Sequence, residues 1–171
     1  HPDLRGLFDP ATGKPEQTLV WREGDTWCRA RLDWLPTPPN DTIFADYKST
    51  EASAEGQAWG NTAYGFDADM QAAFYRRGIR AVLGVANPRF RFVVQESYAP
   101  FLVNSIELSP GALDMADRKV DYALDLWRAC LRKNAWPGYP PRTTYIDPPV
   151  YAEKRWLERE ASEQVHGKIY P

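Results

Sequence analysis

Two neighbouring stretches of this chain repeat with a period of two, and they constrain the fold more than anything else in it. From Trp27 to Leu35, Ala30, Leu32 and Trp34 alternate with Arg29, Arg31 and Asp33; from Thr42 to Ser49, Phe44, Asp46 and Lys48 alternate with Ile43, Ala45 and Tyr47. Such alternation belongs to strands with one packed and one polar face. Only the turn Pro36-Thr-Pro-Pro-Asn40 separates them, and so short a connection predicts an antiparallel hairpin. A sheet is therefore required here, with Asp33 brought back beside Asp46 and Tyr47 turned inward.

The other elements follow from local signals. Thr18 to Arg22 reads as a further strand, residues 51–64 as a small helix or loop weakened by two glycines, and Asp67 to about Val85 as a helix. Two strands, Arg89 to Ser97 and Phe101 to Leu108, flank Tyr98-Ala-Pro100. Ser109-Pro110 offers an N-cap and a proline at the first helical position, and Leu113, Ala116, Val120, Ala123, Trp127 and Cys130 continue at helical spacing to about Lys133. Five prolines between Pro137 and Pro149 then impose an extended tail before a short helix from Val150 to Glu163. Strands, helix, strands, helix predict an α/β (α+β) fold, a mixed central β-sheet flanked by helices. The expected division is a domain over 1–136 and a Pro-rich C-terminal tail over 137–171.

Composition narrows the setting. The 171 residues suit one core, and 21 basic against 23 acidic side chains leave a net charge of −2, which excludes a strongly basic body that coats nucleic acid indiscriminately. Cys28 and Cys130 are the only cysteines; no zinc cluster is built from them, and they read as reduced thiols of a cytoplasmic protein. No apolar run long enough to span a membrane and no signal peptide is present. Because the chain begins at His1 rather than Met, it is expected to be a fragment or processed product, truncated at its N-terminus.

The chemistry concentrates on the second period-two stretch. Residues two apart on a strand project to the same side roughly 6.6 Å apart, so Asp46 and Lys48 set an acid and a base on one edge. Asp33 across the hairpin adds a second carboxylate, and two such charges repel unless a cation or proton sits between them. Mg2+ or Mn2+ suits one or two carboxylates, a backbone carbonyl such as that of Tyr47, waters and a phosphate oxygen. The bland reading is a surface ion-pair network. Gln71 and Tyr75, four apart on the following helix, add two polar tips on one face.

Cys28-Arg-Ala-Arg-Leu-Asp33, Ala45-Asp-Tyr-Lys-Ser-Thr50, Gln71-Ala-Ala-Phe-Tyr75 and Phe92-Val-Val-Gln-Glu96 followed by Pro100 together resemble the PD-(D/E)XK nucleases, specifically the RecE-like (exodeoxyribonuclease VIII type) phage recombination exonucleases. The resemblance runs from about Glu16 to Tyr139. It implies a restriction-endonuclease-like core, with Asp33 and Asp46 as metal ligands, Lys48 as the motif lysine, and Gln71 with Tyr75 as the RecB-type glutamine-tyrosine pair. Glu16 matches an acidic position before the first strand and becomes a further metal-ligand candidate, while the family's upstream histidine-bearing helix has no counterpart here.

The implied activity is digestion of one strand of linear double-stranded DNA from 5′ to 3′, feeding a single-strand annealing protein, by a homo-oligomeric ring. Two alternatives stay open: a RecB-like or Cas4-like nuclease on single strands or flaps, and a non-catalytic DNA-binding module. Ser49 and Thr50 beside the motif lysine, with Arg76, Arg77 and Arg80, are the expected DNA contacts. They open a stretch from Gln71 to Val94 that also holds Arg89 and Arg91 and no acidic residue, either a phosphate-binding strip or a solvated face. Glu96 reads as a carboxylate supporting the site or as an edge-strand ion pair.

Overall fold

The computed structural model describes residues 2–4, 6–37 and 42–167, and among them the alternating stretches up to Glu107 are realised as five strands. After a short 3-10 turn at Pro2–Leu4 come β1 (Gly13–Glu23), β2 (Thr26–Pro36) and β3 (Ile43–Thr50). The helices α1 (Gly56–Gly65) and α2 (Ala68–Leu83) follow, then β4 (Arg89–Glu96), β5 (Val103–Glu107), α3 (Pro110–Lys133) and α4 (Val150–His166). The chain divides into two units, 1–135 and 136–171.

In the first unit β1 and β2 form an antiparallel ladder that runs from Gly13 opposite Pro36 to Glu23 opposite Thr26. A second sheet has the order β3-β4-β5, with β3 and β4 parallel and β4 and β5 antiparallel. A parallel pair needs a long crossover, and α1 and α2 supply it. The architecture is thus a mixed sheet flanked by helices, as expected.

The hairpin expected between β2 and β3 is not a ladder among the described residues. The two strands lie side by side, but the Tyr47 N–H donates to the Asp33 carboxylate at 2.9 Å, so a side chain satisfies this amide where a hairpin would use a backbone carbonyl. Most of the turn assigned to Pro36–Asn40 falls on residues 38–41, outside the described residues.

Most of the core lies on the helical side. Leu19, Trp21, Cys28, Ala30 and Leu32 of the hairpin meet Phe44, Phe92 and Val94 of the second sheet, under Trp59, Ala72, Ile79, Val120 and Leu124 of the helices. Fully burying a side chain of the Leu or Phe class contributes about 1.5–3 kcal/mol, so this cluster dominates stability. A smaller cluster of Trp34, Ala45 and Val93 covers the opposite side. Ala68, Ala72, Ala73 and Gly78 are the buried small positions of α2, and they let it approach closely: a Cβ on Gly78 would sit 2.6 Å from the Trp21 ring.

Capping follows the sequence signals. The Ser109 hydroxyl accepts the Ala112 N–H at 3.2 Å ahead of Pro110, and Asn134, at φ 45°, ends α3 in the left-handed region. In the second unit α4 carries Lys154–Glu158 and Arg159–Glu163 pairs one helical turn apart and has no buried residue. No helix among the described residues is long and apolar enough to cross a membrane.

Candidate active site

Burial decides which face of β3 carries the chemistry. Phe44 (1% exposed) and Asp46 (2%) face the helices, whereas Tyr47 is 47% exposed and its hydroxyl donates to Gln95 Oε1 at 2.7 Å. This reverses the expectation that Tyr47 turns inward. Phe44 and Ala45, on opposite faces of β3, are both buried, so alternation alone does not say which face is the deeper.

A carboxylate this buried requires partners. Asp46 has two: Lys48 Nζ donates to Oδ2, and Gln71 Nε2 of α2 donates to Oδ1 at 2.6 Å. The Lys48 ammonium also lies 5.9 Å from the centroid of the Phe92 ring, which pairs with Asp46 in the β3–β4 register. Burial pushes the Asp46 carboxyl above its ordinary pKa; Lys48 opposes through its hydrogen bond and charge, Asp33 adds a further upward push, and Gln71 pulls down. Asp33 meanwhile holds the Tyr47 peptide through Oδ2.

This donor set fits a hard divalent cation. Asp33 and Asp46 carry oxygen donors of like charge, Tyr47 adds a backbone carbonyl between Asp46 and Lys48, and among the described residues the Lys48 ammonium is the cation hydrogen-bonded to Asp46. Among the described residues no group of three or more His, Cys, Asp or Glu side chains gathers around a common point. Two carboxylates and one carbonyl would leave the remaining positions around a hard divalent cation to waters and a substrate oxygen.

Other expected site residues lie elsewhere. Glu16, at φ 56°, stands opposite Asp33 where the β1–β2 register skips both, and its carboxylate takes Arg31 Nε at 2.8 Å; among the described residues it forms no three-carboxylate group with Asp33 and Asp46. The Tyr75 ring stands edge-on to Phe90, centroids 5.6 Å apart, whereas Gln71 of the glutamine-tyrosine pair is hydrogen-bonded to Asp46. Ser49 is exposed. Thr50 is buried, its Oγ1 accepting the Ala52 N–H at 3.1 Å and its carbonyl accepting from the N–H and hydroxyl of Ser97, which removes it from the expected DNA contacts.

The arginine strip is corrected at Arg77, Arg89 and Arg91. Arg77 donates to Asp117 and Asp121 of α3, Arg89 and Arg91 both engage Glu107 of β5, and Arg76 and Arg80 donate to the carbonyls of Pro88 and Ala86. Acids distant in sequence thus neutralise Arg77, Arg89 and Arg91, while Arg76 and Arg80 have no ion pair among the described residues. Among the described residues Glu96 is neither an edge residue nor ion-paired: β4 is the middle strand of its sheet, and the buried carboxylate accepts the Ala54 N–H at 2.9 Å.

Sequence reasoning missed Asp69 and Lys119. Asp69, 1% exposed, stands two residues before Gln71, and Lys119 Nζ of α3 reaches both of its oxygens at 3.1 and 3.0 Å and Asp67 at 2.9 Å. An acid at that spacing from Gln71 was a readable signal; its lysine, fifty residues on, was not.

Residues 8–149 match a family described as a PDDEXK-like domain of unknown function (DUF3799). None of the curated proteins matches the sequence. Among solved structures, a protein from Eubacterium rectale described as a candidate exonuclease shares the fold with a TM-score of 0.58 at 11% identity over 90% of this chain. The chain spans 60% of that protein's length. A second structure, SSO0001, has a TM-score of 0.40 at 16% identity, covering 80% of this chain and 64% of its own.

Proposed function

Since the chain belongs to this PDDEXK-like family, we propose that it is a metal-dependent nuclease whose reacting centre comprises Asp33, Asp46, Lys48 and Gln71. The observation that carries this reading is the buried Asp46 carboxylate, bracketed by Lys48 and Gln71 with Asp33 alongside. Exposed ion pairs are common and weak, but this carboxylate is withdrawn from water, and withdrawal is costly unless the charge serves something.

Asp33 and Asp46, with the Tyr47 carbonyl, would hold Mg2+ or Mn2+, which supplies positive charge to a phosphate and lowers the pKa of a bound water. Gln71 fixes the rotation of the Asp46 carboxylate, so its second oxygen keeps one direction. The hydrogen bond from the Tyr47 amide orients Asp33 and ties β2 to β3 where the carboxylates converge. Lys48, on the same strand face as Asp46, is placed to orient a water for attack or to meet charge building on the phosphate. The reaction is hydrolysis of a phosphodiester bond.

By the resemblance to the RecE-like exonucleases, the substrate we propose is linear double-stranded DNA, digested from 5′ to 3′ in phage-type recombination, with a strand-annealing protein as partner and a ring of copies as the assembly. The test is digestion of an end-labelled linear duplex with Mg2+ by the native chain and by Asp46→Asn and Lys48→Ala, each checked for native circular dichroism. Each substitution is expected to cost about 100-fold or more in rate. Undiminished digestion by either would remove the mechanism.

A further inference from the structure

Lys119 of α3 lies outside the proposed centre and yet holds the element that completes it. Its Nζ donates to Asp67 Oδ1 at 2.9 Å and to Asp69 Oδ1 and Oδ2 at 3.1 and 3.0 Å, and it stands 5.9 Å from the centroid of the Tyr64 ring at the end of α1. We propose that Lys119 is a positioning residue: through Asp67 and Asp69 it fixes the first turn of α2, and with it the place where Gln71 meets Asp46. What that placement does for the reaction rests on the nuclease reading.

A short hydrogen-bonded path joins Lys119 to the buried carboxylate. Asp67 precedes α2 in the left-handed region, at φ 55°. An aspartate ahead of a helix ordinarily caps it by accepting a first-turn N–H, but among the described residues the Asp67 side chain makes no such bond. Its carboxylate goes to Lys119 instead, and its carbonyl accepts the Gln71 N–H at 3.2 Å. Gln71 Nε2 then donates to Asp46 Oδ1 at 2.6 Å. Lys119 therefore acts on Asp46 through one residue of backbone and one side chain.

Asp69 holds the same turn from the other side. Two residues before Gln71, it lies about 200° away around the helix, so a single turn is tied to β3 by Gln71 and to α3 by Asp69. Asp69 is 1% exposed, and a carboxylate so far withdrawn from water requires its partner. Apolar residues at both places would join α2 to α3 as firmly. The ion pair adds direction, because one ammonium meets both Asp67 and Asp69 in a single register of α2.

The test compares the native chain with Lys119→Met, Lys119→Arg and the double variant Asp69→Leu with Lys119→Met, which removes the pair without stranding a buried charge. Exchange of the Gln71 side-chain amide protons, followed by NMR in EDTA, is expected to quicken in Lys119→Met and in the double variant and to stay slow in Lys119→Arg. With Mg2+ and a linear duplex, the first two are expected to lose about ten- to a hundredfold in kcat with KM little changed, and Lys119→Arg to recover most of it. If Lys119→Met does not fold, the double variant carries the test by itself. A double variant with native kcat and slow Gln71 exchange, whatever its Tm, makes Lys119 a structural tie and overturns the proposal. Quickened Gln71 exchange in a chain that digests no DNA would sink only the nuclease reading, and native digestion by the double variant only this one.

Discussion

Asp46 pairs an energetic cost with a function. Its carboxyl has a pKa raised by burial beyond what Lys48 and Gln71 recover. A folded-state pKa above the unfolded one means that the native protein binds more protons than the unfolded chain between those two values. Stability contributed by this group is therefore present at low pH and lost as pH rises through the folded pKa. Asp46→Asn, melted in EDTA, is expected to have a higher Tm than the native chain at neutral pH. The gap should close as pH falls below the ordinary carboxylate range. A variant less stable at neutral pH would mean that the Lys48 pair outweighs desolvation.

Helix α2 is the element on which the site turns, because it carries Gln71 to Asp46. Its first turn is held to α3 by Asp69 and Lys119, and its middle by Arg77 with Asp117 and Asp121. Its height above the hairpin is set by Gly78, where a Cβ would meet Trp21 atoms at 2.6 and 2.9 Å. Trp21 is buried against Phe74, centroids 4.8 Å apart, and has little room to yield. Overpacking costs about 1–3 kcal/mol and replacing glycine in a helix returns about 1 kcal/mol. Gly78→Ala is therefore expected to lose about 1 kcal/mol net, a Tm lower by about 2–4 °C, measured by calorimetry. An unchanged or higher Tm would show that α2 can lift without cost.

At the scale of the molecule, the candidate centre lies at the seam between two sheets. Asp33 belongs to the hairpin and Asp46 to the three-stranded sheet, and the Tyr47 amide bridges them. A cation held by both carboxylates would clamp the seam and bind the native state far better than the unfolded one. Mg2+ at about 100 times its dissociation constant is then expected to add about 2.7 kcal/mol, a Tm rise of about 5–11 °C for a chain of this size. The rise should vanish in Asp33→Asn and in Asp46→Asn. Equal rises in all three proteins would place the cation elsewhere.

The sequence by itself determined the order and type of the elements and where chemistry would gather, since these depend on spacing along the chain. Ser109-Pro110 marked the start of α3, alternation marked β2 and β3, and the steps from Asp46 to Lys48 and from Gln71 to Tyr75 put polar groups on shared faces. Tertiary structure alone decided which of those groups meet. Alternation tells two faces apart without saying which is covered, so Tyr47 went outward and Asp46 inward. Charge spacing shows no partner from a distant element, so Arg77 is spent on α3, Arg89 and Arg91 on β5, and Glu16 on Arg31. The signal that opened the reading, two adjacent period-two stretches, correctly set Asp33 beside the Asp46 strand. They meet through a carboxylate accepting the Tyr47 peptide N–H in place of a hairpin ladder, because that amide has a side chain for its partner.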